Sequence, residues 1–144
     1  MANQQPPLIS INFFVKDMPA ALAFYRRLGF AIPAAADGQP HVEVKLASGL
    51  ALEFDTIALT RAYDPGWREP AGGSRAVFQF LLPSRDAVDA LYAELTAAGY
   101  GGHQAPFDAF WGARYAVIDD PDGNLVAITS SQDPDRQGPM PKFW

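Results

Sequence analysis

The chain has 144 residues, 49% hydrophobic and 19% charged, enough for one domain with a core of its own. Its net charge of −5 and pI near 4.8 argue against a nucleic-acid partner, which selects a basic face, and give no support for docking on an anionic membrane. No apolar run reaches the roughly 20 residues of a membrane span, Met1 to Pro7 has no signal-peptide pattern, and the absence of Cys excludes disulfides, thiolate metal sites and a Cys nucleophile. The expectation is a cytoplasmic protein.

Leu8 to Val15 is an apolar run that reads as a strand. Asp17 is placed as an N-cap with Pro19 in the first turn, and Ala20 to Leu28 carries Ala21, Leu22, Phe24, Tyr25 and Leu28 at helical spacing. Gly29 closes that helix. Phe30 to Pro40 reads as a loop or ragged strand. His41 to Leu46 alternates strictly, the mark of a half-buried strand. Ala47-Ser48-Gly49 is a turn, and Leu50 to Thr56 is the next strand.

Residues 57–73 read as a connector, with Asp64-Pro65-Gly66 and Gly72-Gly73 breaking any regular element. Tyr63 and Trp67 lie on it. Arg75 to Leu82 is again a strand. Ser84 caps a helix over Asp86 to Ala98, and Gly99 closes it. Tyr100 to Phe110 reads as a loop because of Gly101-Gly102 and Pro106. Tyr115 to Ile118 and Leu125 to Ile128 form a hairpin around Asp120-Pro121-Asp122-Gly123-Asn124. Residues 132–144 are polar and Pro-rich and read as a mobile tail, with Phe143 and Trp144 able to dock on a surface.

The halves repeat. At an offset of 67 positions Tyr25 meets Tyr92, Phe13 meets Phe80, Val15 meets Leu82, and the cap Asp17 meets the cap Ser84. Each half is a β-α-β-β unit, with room for one more strand. Module 1 covers about residues 8–56 and module 2 about 74–131, joined by the connector. The expected class is α+β. Two tandem βαβββ modules would form one curved mixed sheet, with helices on its convex face and a concave cleft.

Val15-Lys16-Asp17 leading into Ala23-Phe24-Tyr25, Leu28-Gly29-Phe30 and Asp120-Pro121-Asp122-Gly123-Asn124 resemble the vicinal-oxygen-chelate superfamily over residues 8–131. That superfamily holds glyoxalase I, extradiol dioxygenases, fosfomycin-resistance enzymes and bleomycin-binding proteins. Leu52-Glu53-Phe54-Asp55-Thr56, Tyr63-Asp64-Pro65-Gly66-Trp67 and Phe107 to Ala116 resemble its drug-binding branch, especially mitomycin-resistance proteins. The resemblance implies binding of a planar antibiotic without chemical change. It also implies a homodimer that exchanges modules.

In the metalloenzymes that this chain resembles, four concave strands carry one ligand each. The corresponding positions here are Ser10, Glu53, Val77 and Ala127. Only Glu53 keeps a ligand type, and a transition metal needs about three or four protein ligands. No metal and no other cofactor is therefore expected. His41 and His103 miss the ligand positions and read as surface residues. No Ser–His–Asp arrangement is legible, and no catalytic residue is assigned.

Strand parity places Ser10, Asn12 and Phe14 on the cleft side of the first strand. The same rule puts Ala51, Glu53 and Asp55 there from the third strand, and Val77, Gln79, Ala127 and Thr129 from the second module. Phe110 and Trp111, before the hairpin, suit stacking against a flat ligand. The expected binding set is Trp111, Phe110, Tyr115, Tyr63, Trp67, Glu53, Asp55, Ser10, Asn12 and Phe14. Its expected function is sequestration of a mitomycin- or bleomycin-like molecule. The alternative is a glyoxalase-like lyase, isomerase or dioxygenase with a non-standard metal site around Glu53.

Overall fold

The computed structural model describes residues 5–142, so the docking expected of Phe143 and Trp144 lies outside the described residues. The chain divides between Pro70 and Ala71 into two compact units. The first runs β1 (Ser10–Val15), α1 (Met18–Arg27), a 3-10 helix (Ala34–Gly38), β2 (His41–Lys45), β3 (Ala51–Thr56) and α2 (Ile57–Tyr63). Its sheet has the order β1-β3-β2. β1 lies parallel to β3 and β2 antiparallel to it.

Helix α1 starts where the sequence dictates. Asp17 has extended backbone, and its carboxylate accepts the Ala20 N–H at 3.0 Å. Arg26 and Arg27 occupy the last turn, where cations oppose the negative end of the dipole. Arg26 also holds the following chain. Its Nε donates to the Ile32 carbonyl and its Nη2 to the Pro33 carbonyl, both at 2.8 Å. That anchoring shapes a segment expected as loop or ragged strand into a 3-10 turn. Phe13, Tyr25 and Phe54 pack ring on ring, with centroids 5.0 to 5.5 Å apart. Each such buried side chain contributes about 1.5–3 kcal/mol of transfer free energy.

The second unit runs β4 (Val77–Leu81), α3 (Arg85–Ala97), β5 (Gly102–Asp108), β6 (Arg114–Asp119) and β7 (Leu125–Thr129), followed by a 3-10 turn at Pro134–Arg136. Its sheet has the order β4-β7-β6-β5. The repeat is visible in the pairing: β4 lies parallel to β7 as β1 lies parallel to β3. Val88 and Leu95 of α3 are buried, as are Ala116, Ile118, Val126 and Ile128. The strands bond as two sheets, one in each unit, rather than as the single sheet expected.

The hairpin turn is closed by a side chain. Asp120 is buried, and its carboxylate accepts the N–H groups of Asp122 and Asn124 at 2.9 and 2.8 Å and the Asn124 amide at 2.8 Å. Gly123 takes φ +83°, the left-handed geometry that the turn requires.

Three expectations are corrected. The connector carries helix α2, because Thr56 caps it: its hydroxyl accepts the Leu59 N–H at 3.2 Å. The loop from Tyr100 to Phe110 holds edge strand β5, whose register shifts around Gln104 let Pro106 sit without a ladder donor. The start of the tail is held rather than mobile. The Asp133 and Gly138 N–H groups donate to the carbonyls of Gly112 and Phe110 at 3.0 and 2.8 Å.

Candidate functional site

On the face of the first sheet opposite Phe13 and Phe54, pairing sets Asn12 against Glu53 and Phe14 against Asp55. From the other side His41 meets Asp55 and Glu43 meets Glu53. Ser10 stands two residues before Asn12, opposite Ala51. The shared face expected for Ser10, Asn12, Phe14, Glu53 and Asp55 is therefore present.

Its centre is Asp55, only 3% exposed. A buried carboxylate must be paired or hydrogen-bonded, and this one is. Asn12 Nδ2 and the Tyr63 hydroxyl donate to Oδ2, both at 2.7 Å. His41 Nδ1 donates to Oδ1 at 2.5 Å. Burial works against the charge, but the bonds from His41, Tyr63 and Asn12 outweigh it and hold the Asp55 pKa below its usual value. The hydrogen bond to Asp55 pushes the His41 pKa up, against burial, with the charges of Asp55, Glu53 and Glu43 adding to it. Burial and the bond to Asp55 raise that of Tyr63.

Reading His41 as a surface residue misses this contact. A signal for it existed: once β2 folds back on β3 across Ala47-Ser48-Gly49, strict alternation puts His41 opposite Asp55. His41 Nε2 lies 3.6 Å from Glu53 Oε1, and Lys45 Nζ lies 3.7 Å from Glu43 Oε1. Lys45, and His41 when protonated, offset the like-charge pair Glu43–Glu53 set directly across the strands. His103, by contrast, is exposed on β5, 3.8 Å from Asp119. Trp67 packs edge-on against Phe14 at 5.9 Å, and the Arg61 guanidinium lies over its ring at 5.6 Å.

The second unit gathers the other aromatics. Phe107 on β5 and Tyr115 on β6 are cross-strand partners. Trp111 stands in the turn between these strands. Its ring lies 5.0 Å from Phe110, 5.2 Å from Tyr115 and 6.3 Å from Phe107, all three near perpendicular. Burial pushes the Tyr115 pKa up. Phe107, absent from the expected set, is the fourth ring.

The turn that presents Trp111 is braced. Ala109 N–H donates to the Ala113 carbonyl at 2.8 Å, and Arg85 Nη1 reaches the Gly112 carbonyl at 3.2 Å. Arg85 also pairs with Asp108. Arg114 bridges Asp89 at 2.8 Å and Asp108 at 3.2 Å. The expected residues thus fall into two groups: a polar one on the first sheet, with Phe14 and Trp67 at its side, and an aromatic one in the second unit.

Residues 8–128 match the Glyoxalase/Bleomycin resistance protein/Dioxygenase superfamily, and the chain belongs to that family. No curated protein matches it. Among solved structures it is similar to a glyoxalase/bleomycin resistance protein/dioxygenase family enzyme from Burkholderia phytofirmans PsJN. That pair has a TM-score of 0.74 and 22% identity, over 87% of this chain and 98% of that one. It is also similar to a glyoxalase/bleomycin resistance protein/dioxygenase from Nocardioides, with a TM-score of 0.70 and 20% identity, over 97% and 93%. A glyoxalase-related enzyme from Fulvimarina pelagi gives 0.74 and 18%, over 88% and 89%. At these identities the likeness concerns the fold.

The residues at the family's ligand positions do not fit a metal. Ser10, Val77 and Ala127 offer one hydroxyl between them, beside the single carboxylate of Glu53. Among the described residues no three His, Cys, Asp or Glu side chains are arranged to hold a metal ion. No helix among them is long and apolar enough to cross a membrane.

Proposed function

We propose that the protein binds and sequesters a planar, partly aromatic small molecule of the mitomycin or bleomycin kind, without a metal. The observation that carries this reading is Trp111. Three perpendicular rings and a braced turn hold it half-buried. A rigid indole loses little conformational entropy when a flat ligand stacks on it, and each ring pair adds on the order of 0.5–1.5 kcal/mol beyond burial.

The first unit, taken by itself, carries polar groups suited to a ligand's heteroatoms. Asn12, Ser10 and Glu53 offer donors and acceptors, while Asp55 is already engaged. A homodimer belongs to the proposal, supported by the exposed apolar residues Val77 and Leu81 on edge strand β4. Light scattering tests it directly. Isothermal titration with mitomycin C, bleomycin and related quinones tests the binding. Heat with a stoichiometric end point is expected; no heat and no thermal shift across that panel ends the drug-binding reading.

A further inference from the structure

We propose that the His41–Asp55 pair is a metal-free general-base centre that removes a proton from a planar carbon acid. This goes beyond sequestration, and it rests on the geometry of the first sheet alone.

The pair has the parts a general base needs. Asp55 is buried and fixed from three sides, by Asn12, Tyr63 and His41. Its bond to Nδ1 sets the imidazole tautomer and leaves Nε2 as the proton acceptor. The His41 side chain is 46% exposed, so the ring stands partly open to solvent. Glu53 lies 3.6 Å from Nε2. That is too far to cap the nitrogen and near enough to stabilise the imidazolium once it forms.

The charged groups facing the ring are Glu43 on its own strand and Glu53 and Asp55 on β3, with Tyr63 of α2 bonded to the far oxygen of Asp55. From β1 comes only the neutral Asn12. Among the described residues no hydroxyl or thiol bonds Nε2, so the centre holds no nucleophile. The proton it takes belongs to the ligand.

The step balances within one molecule. For 5-nitrobenzisoxazole, the C3–H bond breaks and its proton bonds to His41 Nε2. The C–H electron pair becomes a C–N π bond, making the nitrile. The ring N–O bond breaks, and its pair leaves as the phenolate oxygen of 2-cyano-4-nitrophenolate. The imidazolium then returns its proton to water, and no oxidant, reductant or metal enters.

The test is the initial rate of that conversion, followed by phenolate absorbance with a chelator present. Wild-type protein is expected to exceed an equal concentration of free imidazole by about 100-fold. His41→Asn should abolish the excess, and His103→Asn should keep it. The rate should rise with pH as His41 loses its proton. Asp55→Asn should lower the plateau and move the midpoint to lower pH, because the carboxylate that holds the proton is gone. Tyr63→Phe, a milder change at the same oxygen, takes one donor from the carboxylate and should move the midpoint to higher pH; it serves if Asp55→Asn does not fold. A wild-type rate within about twofold of His41→Asn overturns the proposal, as does a loss in His103→Asn equal to that in His41→Asn. The quinone titration and this rate are read separately, so sequestration and base catalysis fail independently.

Discussion

The Asp133 N–H donates to the Gly112 carbonyl at 3.0 Å, and a β-carbon on Gly112 would stand 2.4 Å from the Asp133 carbonyl oxygen. Gly112 also has φ +97°. The residue after Trp111 is thus glycine for two reasons, backbone conformation and close approach of the tail. Gly112→Ala is expected to cost about 1–3 kcal/mol in urea denaturation. It should also loosen the turn, which a changed near-ultraviolet circular dichroism of the tryptophans would register.

Trp111 is the second place to cut. Replacing it with Ala removes a ring that touches Phe107, Phe110 and Tyr115. Ligand affinity should fall by about tenfold or more, since one stacking contact plus burial exceeds about 1.4 kcal/mol. Trp111→Phe should retain most of it. Equal affinities for wild type and Trp111→Ala by titration would move the ligand elsewhere.

The His41–Asp55 bond makes stability depend on pH with a definite sign. The His41 pKa is raised in the folded state, so its contribution is full below about pH 6.5 and fades as pH rises through the folded value. The Asp55 pKa is lowered, so its contribution is present above about pH 3.9 and fades as pH falls through the folded value. The Tm difference between wild type and His41→Asn should therefore be largest between about pH 4 and 6.5 and shrink on the alkaline side. Thermal melts across pH 3 to 9 check it.

Asp120 predicts a local loss. Asp120→Ala leaves the amides of Asp122 and Asn124 and the Asn124 side chain without their buried acceptor. The expected cost is about 1–3 kcal/mol by chemical denaturation, and Asp120→Asn should recover part of it.

Much of this was legible in the sequence, because it rests on period and punctuation. The caps Asp17 and Ser84, the core face of α1, and the apolar runs that become β1, β3 and β7 are local signals, and the structure follows them. The misses have physical causes. Helix α2 hid because Asp64-Pro65-Gly66 marks a break that lies just past its end, while its start depends on one threonine hydroxyl. β5 hid because a proline on an edge strand resembles a loop until the register shifts are seen. His41 was set aside because it misses the family's ligand positions. Its importance comes from the residue across the strand, fourteen positions away. The tail looked mobile because its anchors are backbone groups of Phe110 and Gly112, which no side-chain pattern announces.

The pairing of the second sheet also separates near from distant chain closures. β6 and β7 are joined by a five-residue turn closed by its own Asp120, whereas β4 reaches β7 only across α3, β5 and the hairpin. A hairpin of this kind forms in about 1–10 μs, and the longer closure waits on it. Loop closure therefore favours the β6–β7 pairing ahead of the β4–β7 pairing. A slowly folding variant of this protein should be sought at Asp120 or Gly123 before any residue of β4.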